Sequence, residues 1–319
     1  MRRALFSLAC LFFLPLHAAP FVAWTPQVTE HPSTVAFHSF LERVQATTGS
    51  EAANFLPIDD GKDQVKFLER IRKGEIKAAV ITGSMVGRVA PMAEVMRLPF
   101  ILRNSRQMFG LLEGEVGQDM ATKLNASGLV FLGWYDGGSR AIYSHNKLGS
   151  VGALKEVKIR IPARKDLAQI VSSLGGVPLQ LPYKEVNTAF DSGKIDAAEN
   201  DLLSYETEGH FKRAPYYYFN NNHIVQFEAL VVSKTWWSGL SEAQRAALTQ
   251  AGADSAKLDR DIWTQRLSKA RSRLEKEGVK FLDYGDSSML LSRVANVYRP
   301  YMDNPATRDL LVRLMTSRS

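Results

Sequence analysis

The sequence predicts an α/β protein made of two similar units, each a mostly parallel sheet flanked by helices, and three observations carry that prediction. Short β-rich runs alternate with helical periodicity almost to the C-terminus. A βαβαβ order at the start recurs between about Arg140 and Tyr218, and βαβ crossovers build parallel sheets whose strand ends open into loops. The longest periodic stretch, Ser241 to Gly278, would extend roughly 55 Å as a helix, longer than one small domain. It either crosses both units or kinks at Gly252.

Each element follows from local pattern. Phe21 to Trp24 is a strand, and Phe37, Phe40, Leu41 and Val44 form one face of the helix that Gly49 ends. Ala53 to Ile58 is a second strand, Asp63 to Lys73 a helix stopped by Gly74, and Ile76 to Ile81 a strand running into a loop at Thr82-Gly83-Ser84. A helix carrying Met108, Leu111 and Leu112 precedes the strand Gly128 to Leu132. In the second unit Val157, Ile159 and Ile161 alternate with Lys158 and Arg160. Leu167, Ile170, Val171 and Leu174 make a helix stopped by Gly175-Gly176, Val177 to Leu181 is extended, and Val186 to Phe190 is a short helix. Phe227 to Ser233 is a strand before the long helix, for which Ser241 and Gln244 form a capping box.

With 319 residues and 45% hydrophobic side chains, two domains can each bury a core, which excludes disorder. The formal charge of +7 falls to +5 once Arg2 and Arg3 are set aside, and basic residues cluster only in pairs such as Arg72-Lys73, unlike the patches of nucleic-acid binders. Residues 1–19 have the order of a secretory signal: Arg2-Arg3, an apolar run from Ala4 to Leu16, then Ala18-Ala19, with the run too short to span a bilayer. Its removal would take with it Cys10, the single cysteine, leaving no disulfide, thiol nucleophile or Cys-ligated metal. An exported, periplasmic protein is expected.

Enzyme motifs are scarce. His31, His38, His145, His210 and His223 show no metal-ligand spacing, and there is no Walker loop, so neither metal nor cofactor is expected. Gly83-Ser84-Met85-Val86-Gly87 places serine one residue too early for a nucleophile elbow; a loop offering backbone N–H groups to a small ligand fits Ser84 better. Asp196, Glu199 and Asp201 suit general acid–base work or, alternatively, the acceptance of backbone N–H bonds at a helix start. Arg160, at a strand end next to Pro162, offers a planar fork that matches a carboxylate, or belongs to a solvated face shared with Lys158; spacing leaves both open.

In order and spacing, several motifs resemble one family: His31-Pro32; Leu98-Pro99-Phe100-Ile101-Leu102-Arg103; Leu112 to Gln118; Leu154 to Pro162; Gly175-Gly176-Val177-Pro178; Pro182 to Val186; and Ser192 to Asn200. That family is the periplasmic solute-binding proteins of tripartite ATP-independent periplasmic (TRAP) transporters, of the dicarboxylate-binding (DctP) type. The resemblance implies a two-lobed binding-protein fold with hinge strands: residues 20–137 plus 226–265 as one lobe, 138–225 plus 266–319 as the other. It implies a monomeric transport subunit, not an enzyme, that captures a small acid and hands it to small and large membrane subunits. Arg160 would clamp the ligand carboxylate, Arg140 add a second cation, and Asn200 a hydrogen bond. Ser84, Glu199 and the strand end from Trp24 to Gln27 would supply further contacts. His223, near the hinge, would touch ligand or serve structure, and Phe219 or Phe227 would stack on a ring or sit in the core. Tyr135 to Tyr143, with Glu199-Asn200-Asp201, Tyr205 and His210, look most like members that bind glucuronate or galacturonate. Other acids, a sensing role and an exported uronate-active enzyme are the alternatives. The chain departs from the family pattern at Glu156, where glycine is usual before the signature strand, at Ala197 and Asp201, and across Pro57 to Gly61.

Overall fold

The computed structural model describes residues 20–56, 64–218, 222–283 and 287–316. Its strands are β1 (Val22–Trp24), β2 (Asn54–Phe55), β3 (Ala78–Thr82), β4 (Leu129–Ser144), β5 (Lys158–Ile161), β6 (Val177–Gln180), β7 (Ala197–Asp201), β8 (Tyr216–Tyr217), β9 (Ile224–Ser233) and β10 (Lys280–Phe281). Helices α1 (Pro32–Thr48), α2 (Gln64–Arg72), α3 (Gly83–Gly87), α4 (Met92–Met96), α5 (Ser105–Leu112) and α6 (Glu115–Ala126) belong to the first half. They are followed by α7 (Lys165–Ser173), α8 (Val186–Asp191), α9 (Leu202–Thr207), α10 (Lys234–Ser238), α11 (Glu242–Lys276), α12 (Ser287–Arg293), α13 (Ala295–Asp303) and α14 (Pro305–Thr316).

The sheet runs β2-β1-β3-β9-β4-β7-β5-β6. Parallel pairs β1–β2, β1–β3, β5–β6 and β5–β7 occupy the two wings, and the long antiparallel pair β9–β4 joins them. This is the two-lobed α/β arrangement expected, with the joining strands shared by both lobes. One side of the first wing packs Phe21, Ala23, Ala78 and Val80 against Phe37, Phe40, Leu41 and Val44 of α1, the face read from the 3.6-residue period. The other side buries Trp24, Ile81 and Met85, and continues into Ile159, Ile161 and Leu167 of the second wing.

Helix α11 is capped by the reciprocal Ser241–Gln244 box and runs unbroken through Gly252. The glycine is there for close approach: a Cβ on Gly252 would lie 2.7 Å from Leu132 Cβ, and one on Gly133 would lie 2.9 Å from Ala256 Cβ. Two glycines thus let α11 press onto β4, and the helix then continues past α9, bracing both lobes. Thr82 ends β3 and caps α3 by accepting from Met85 N, so Ser84 sits in the first turn of a short helix where a loop was expected. Five residues are too few for helical periodicity to show.

Glu156 takes φ 64°, with its N–H donated to Gly175 O at 3.1 Å. The left-handed turn of the usual glycine is therefore kept with a Cβ-bearing residue, at a cost of about 1–2 kcal/mol. Glu156 is exposed and makes no ion pair among the described residues. After the unfolded-state entropy of glycine is offset, Glu156→Gly should stabilise the protein by about 0.5–1 kcal/mol. A rise in urea midpoint at unchanged slope would show it; a fall would mean the turn is not strained.

Candidate functional site

A cavity of about 360 Å³ opens where the second-wing strands end and meet the start of α1, lined among others by Gln27, His31, Arg140, Arg160, Tyr183 and Asn200. Strand register places them. Arg160 lies opposite Ala198, so it shares a sheet face with Asn200, whereas Arg140 opposes Asp201 and shares the other face with Glu199. The cavity sits at the strand ends, where both faces are within reach.

Arg160 is 3% exposed. Its Nε and Nη2 both donate to Leu181 O, at 3.0 and 2.8 Å, and the guanidinium lies 5.5 Å from the centre of the Tyr183 ring. No described acidic side chain pairs with it. Burial pulls its pKa below the ordinary arginine value, although Glu199 and Tyr143 oppose this. The site therefore contains a buried guanidinium whose charge the protein itself does not neutralise.

Arg140 is engaged differently. Its Nε donates to Glu199 Oε2 at 2.6 Å and its Nη2 to Glu199 Oε1 at 2.8 Å, while His223 Nε2 lies 3.1 Å from Oε2. Burial pushes the fully buried Glu199 carboxyl up, but Arg140 and the His223 hydrogen bond outweigh it and hold it at about 2. Nη1 of Arg140 is left without a partner among the described residues, in a side chain that lines the cavity. Glu199 and His223 are both buried and stand behind Arg140 rather than in the cavity wall. His223 N also donates to Arg140 O, and its carbonyl accepts from Phe100 N, which ties the Leu98-Pro99-Phe100 motif to the end of β4.

The other acidic residues of the cluster have structural partners. Asp196 Oδ2 accepts from Lys158 N, and Asp201 caps α9 through Ser204 N and Oγ. Asn200 Oδ1 accepts from Asp201 N at 3.0 Å, and its amide nitrogen keeps its donors unused among the described residues. His31 caps α1 through Nδ1, and burial lowers its pKa to about 4, so it is a neutral acceptor.

Gln27 Nε2 donates to Glu228 Oε1 at 2.6 Å, and burial pushes the Glu228 carboxyl up to about 7 despite that bond. Gln27 and Gln226 also line a second cavity, of about 400 Å³, which holds Ser84 and Phe227. Phe227 packs edge-on to Trp134 with centroids 5.6 Å apart, and Trp24 stacks on Phe67 in the core. Phe219, the segment Pro57 to Gly61 and residues 1–19 lie outside the described residues. Tyr183, His31 and Gln226 escaped sequence reasoning as lining residues. Tyr183 follows the end of β6, where a parallel sheet opens, and that position was the available signal.

Two lobes joined by crossing strands, with a charged cleft between them, define a solute-binding protein. The chain matches the DctP family, bacterial extracellular solute-binding protein family 7, over residues 26–304, and belongs to it. It is similar to a solute-binding protein of Chromohalobacter salexigens, 27% identical over 299 residues that cover 93% of this chain and 89% of that protein. A C. salexigens TRAP periplasmic solute-binding protein solved with bound D-glucuronate superposes with TM-score 0.81 at 27% identity, covering 92% of this chain and 98% of that one. One from Roseobacter denitrificans with bound β-D-glucuronate gives 0.80 at 29%, covering 93% and 99%. One from Sulfitobacter sp. NAS-14.1 with bound β-D-galacturonate gives 0.79 at 28%, with the same coverage. The protein is a TRAP transporter solute-binding protein, and its family works in transport. No helix among the described residues is long and apolar enough to cross a membrane.

Proposed function

We propose that this protein captures a hexuronate, glucuronate or galacturonate, in the cleft and delivers it to the TRAP membrane subunits without chemical change. The carrying observation is Arg160: a buried guanidinium held by one carbonyl, over an aromatic ring, with no carboxylate of the protein's own to pair with. A ligand carboxylate completes it bidentately. Asn200 and Nη1 of Arg140 offer donors to the sugar hydroxyls or the second carboxylate oxygen, and Tyr183 gives the ring an apolar wall. The uronates bound by the relatives support the same reading.

We place residues 20–137 with 226–265 in one lobe and 138–225 with 266–319 in the other, with residues 1–19 removed on export of a monomer. Gln27 and His31 then face Arg160 and Asn200 across the cleft. Ligand stabilises closure because only the closed form offers both sets of contacts. The test is a thermal-shift screen of purified protein with uronates, C4-dicarboxylates, aromatic acids and neutral sugars. A ligand at a hundred times its Kd adds about 2.7 kcal/mol of stability. A shift with uronates alone is expected; a shift only with other acids would discard the sugar-acid ligand and keep the transport role.

A further inference from the structure

The second cavity has a charge pattern that a single uronate leaves unused. It is lined by four cations, Arg88, Arg97, Arg164 and Lys165, against three acids, Glu94, Asp166 and Glu228. Two of the acids are spent locally. Arg97 donates to Glu94 at 2.7 Å and, across the cleft, to Asp166 at 3.0 Å; Arg164 Nε donates to Asp166 at 3.1 Å. Glu228 is buried and takes its hydrogen bond from Gln27. Arg88 and Lys165 remain, and neither forms an ion pair among the described residues. They come from opposite lobes: Arg88 closes α3, which follows β3, and Lys165 opens α7, which follows β5 beyond the β9–β4 pair.

This cavity and the one holding Arg160 share Gln27 and Gln226 as a common wall. Each volume, about 400 and about 360 Å³, falls by itself within the range of a small-ligand site. We infer that the cleft holds a second anionic subsite, in which Arg88 and Lys165 receive the second carboxylate of a dianionic sugar acid whose first carboxylate is on Arg160. The two-chambered shape favours two rings, a uronic acid disaccharide, over a single open-chain six-carbon diacid. The inference rests on the uronate reading above, and the experiment separates the two.

Calorimetric titrations of the full protein would compare galacturonate, α-1,4-linked digalacturonate and galactarate, with wild type, the double variant Arg88→Ala/Lys165→Ala, and Arg160→Ala. Both replaced cations are exposed, so the double variant should fold as wild type does. Digalacturonate is expected to bind at least tenfold tighter than galacturonate. The double variant should remove that advantage and leave galacturonate within twofold. The advantage should also shrink as salt rises from 20 to 200 mM, because the added contacts are between charges. The same dependence with galactarate but not digalacturonate would support the subsite and assign both carboxylates to one open-chain six-carbon diacid. If galacturonate binds through Arg160 while neither diacid responds to the double variant, the subsite is wrong and the uronate reading stands. If no uronate or diacid binds through Arg160, both fall.

Discussion

Arg160→Ala is expected to weaken uronate capture by about 2–5 kcal/mol, from roughly 30-fold to several thousand-fold in Kd. The size follows from where the guanidinium is. The protein's own packing already desolvates it, so a ligand strips little water from it, and Leu181 O holds Nε and Nη2 in place so that little side-chain freedom is lost on binding. In the variant a ligand carboxylate would enter the same site with only Arg140, whose charge Glu199 already balances, left beside it. Arg160→Lys keeps the charge but replaces the fork with a point donor that cannot reach Leu181 O and a carboxylate in one plane, so it should be impaired too. The variant also strands Leu181 O, at about 1–3 kcal/mol of folding stability, so affinity must be read by calorimetry below the melting transition. A Kd within threefold of wild type would remove Arg160 from the ligand and with it the proposed binding mode.

How much of this site could be read from sequence depends on how local each signal is. The αβ alternation, the Ser241–Gln244 cap and the apolar face of α1 are short-range patterns, and all three are present in the fold. The strand expected from Gly128 to Leu132 instead runs on to Ser144, through Gly137-Gly138. A Cβ on Gly137 would lie 2.9 Å from Gln226 Cβ, and Gly138 takes φ 77° beneath Trp263, at a bulge in the strand. The resemblance made Arg140 and Glu199 separate ligand contacts. Their pairing, 59 residues apart, is created by the register of β4 on β7 and has no trace in spacing. The opposition of Arg88 and Lys165 is likewise a product of topology, since nothing local says that α3 and α7 flank one cavity. Arg160 was legible as a cation at a strand end; that it lacks an internal counter-ion became visible only when its neighbours were in place.

The Arg140–Glu199–His223 group carries the second large effect, on folding rather than on affinity. Glu199→Gln leaves a buried guanidinium without its counter-charge, and breaking a buried pair by removing one partner costs about 3–5 kcal/mol. Urea unfolding at pH 7 should show a loss of that size. The pH dependence identifies its origin. The folded Glu199 carboxyl titrates at about 2, below the usual value of 4.5, so the unfolded chain binds its proton first as the pH falls. The stabilisation from ionised Glu199 is therefore complete above about pH 5 and is lost as pH falls through 4.5 towards 2. The stability gap between wild type and Glu199→Gln should narrow over that window, whereas a merely steric defect would leave it constant. Replacing both partners, as Arg140→Met with Glu199→Leu, should recover part of the loss, because the buried charge and its desolvation cost disappear together. The same double variant removes Nη1 of Arg140 from the cavity wall. Restored folding with weakened uronate binding would then show that one arginine joins two functions: two nitrogens hold the strands of the second lobe together, and the third faces the ligand.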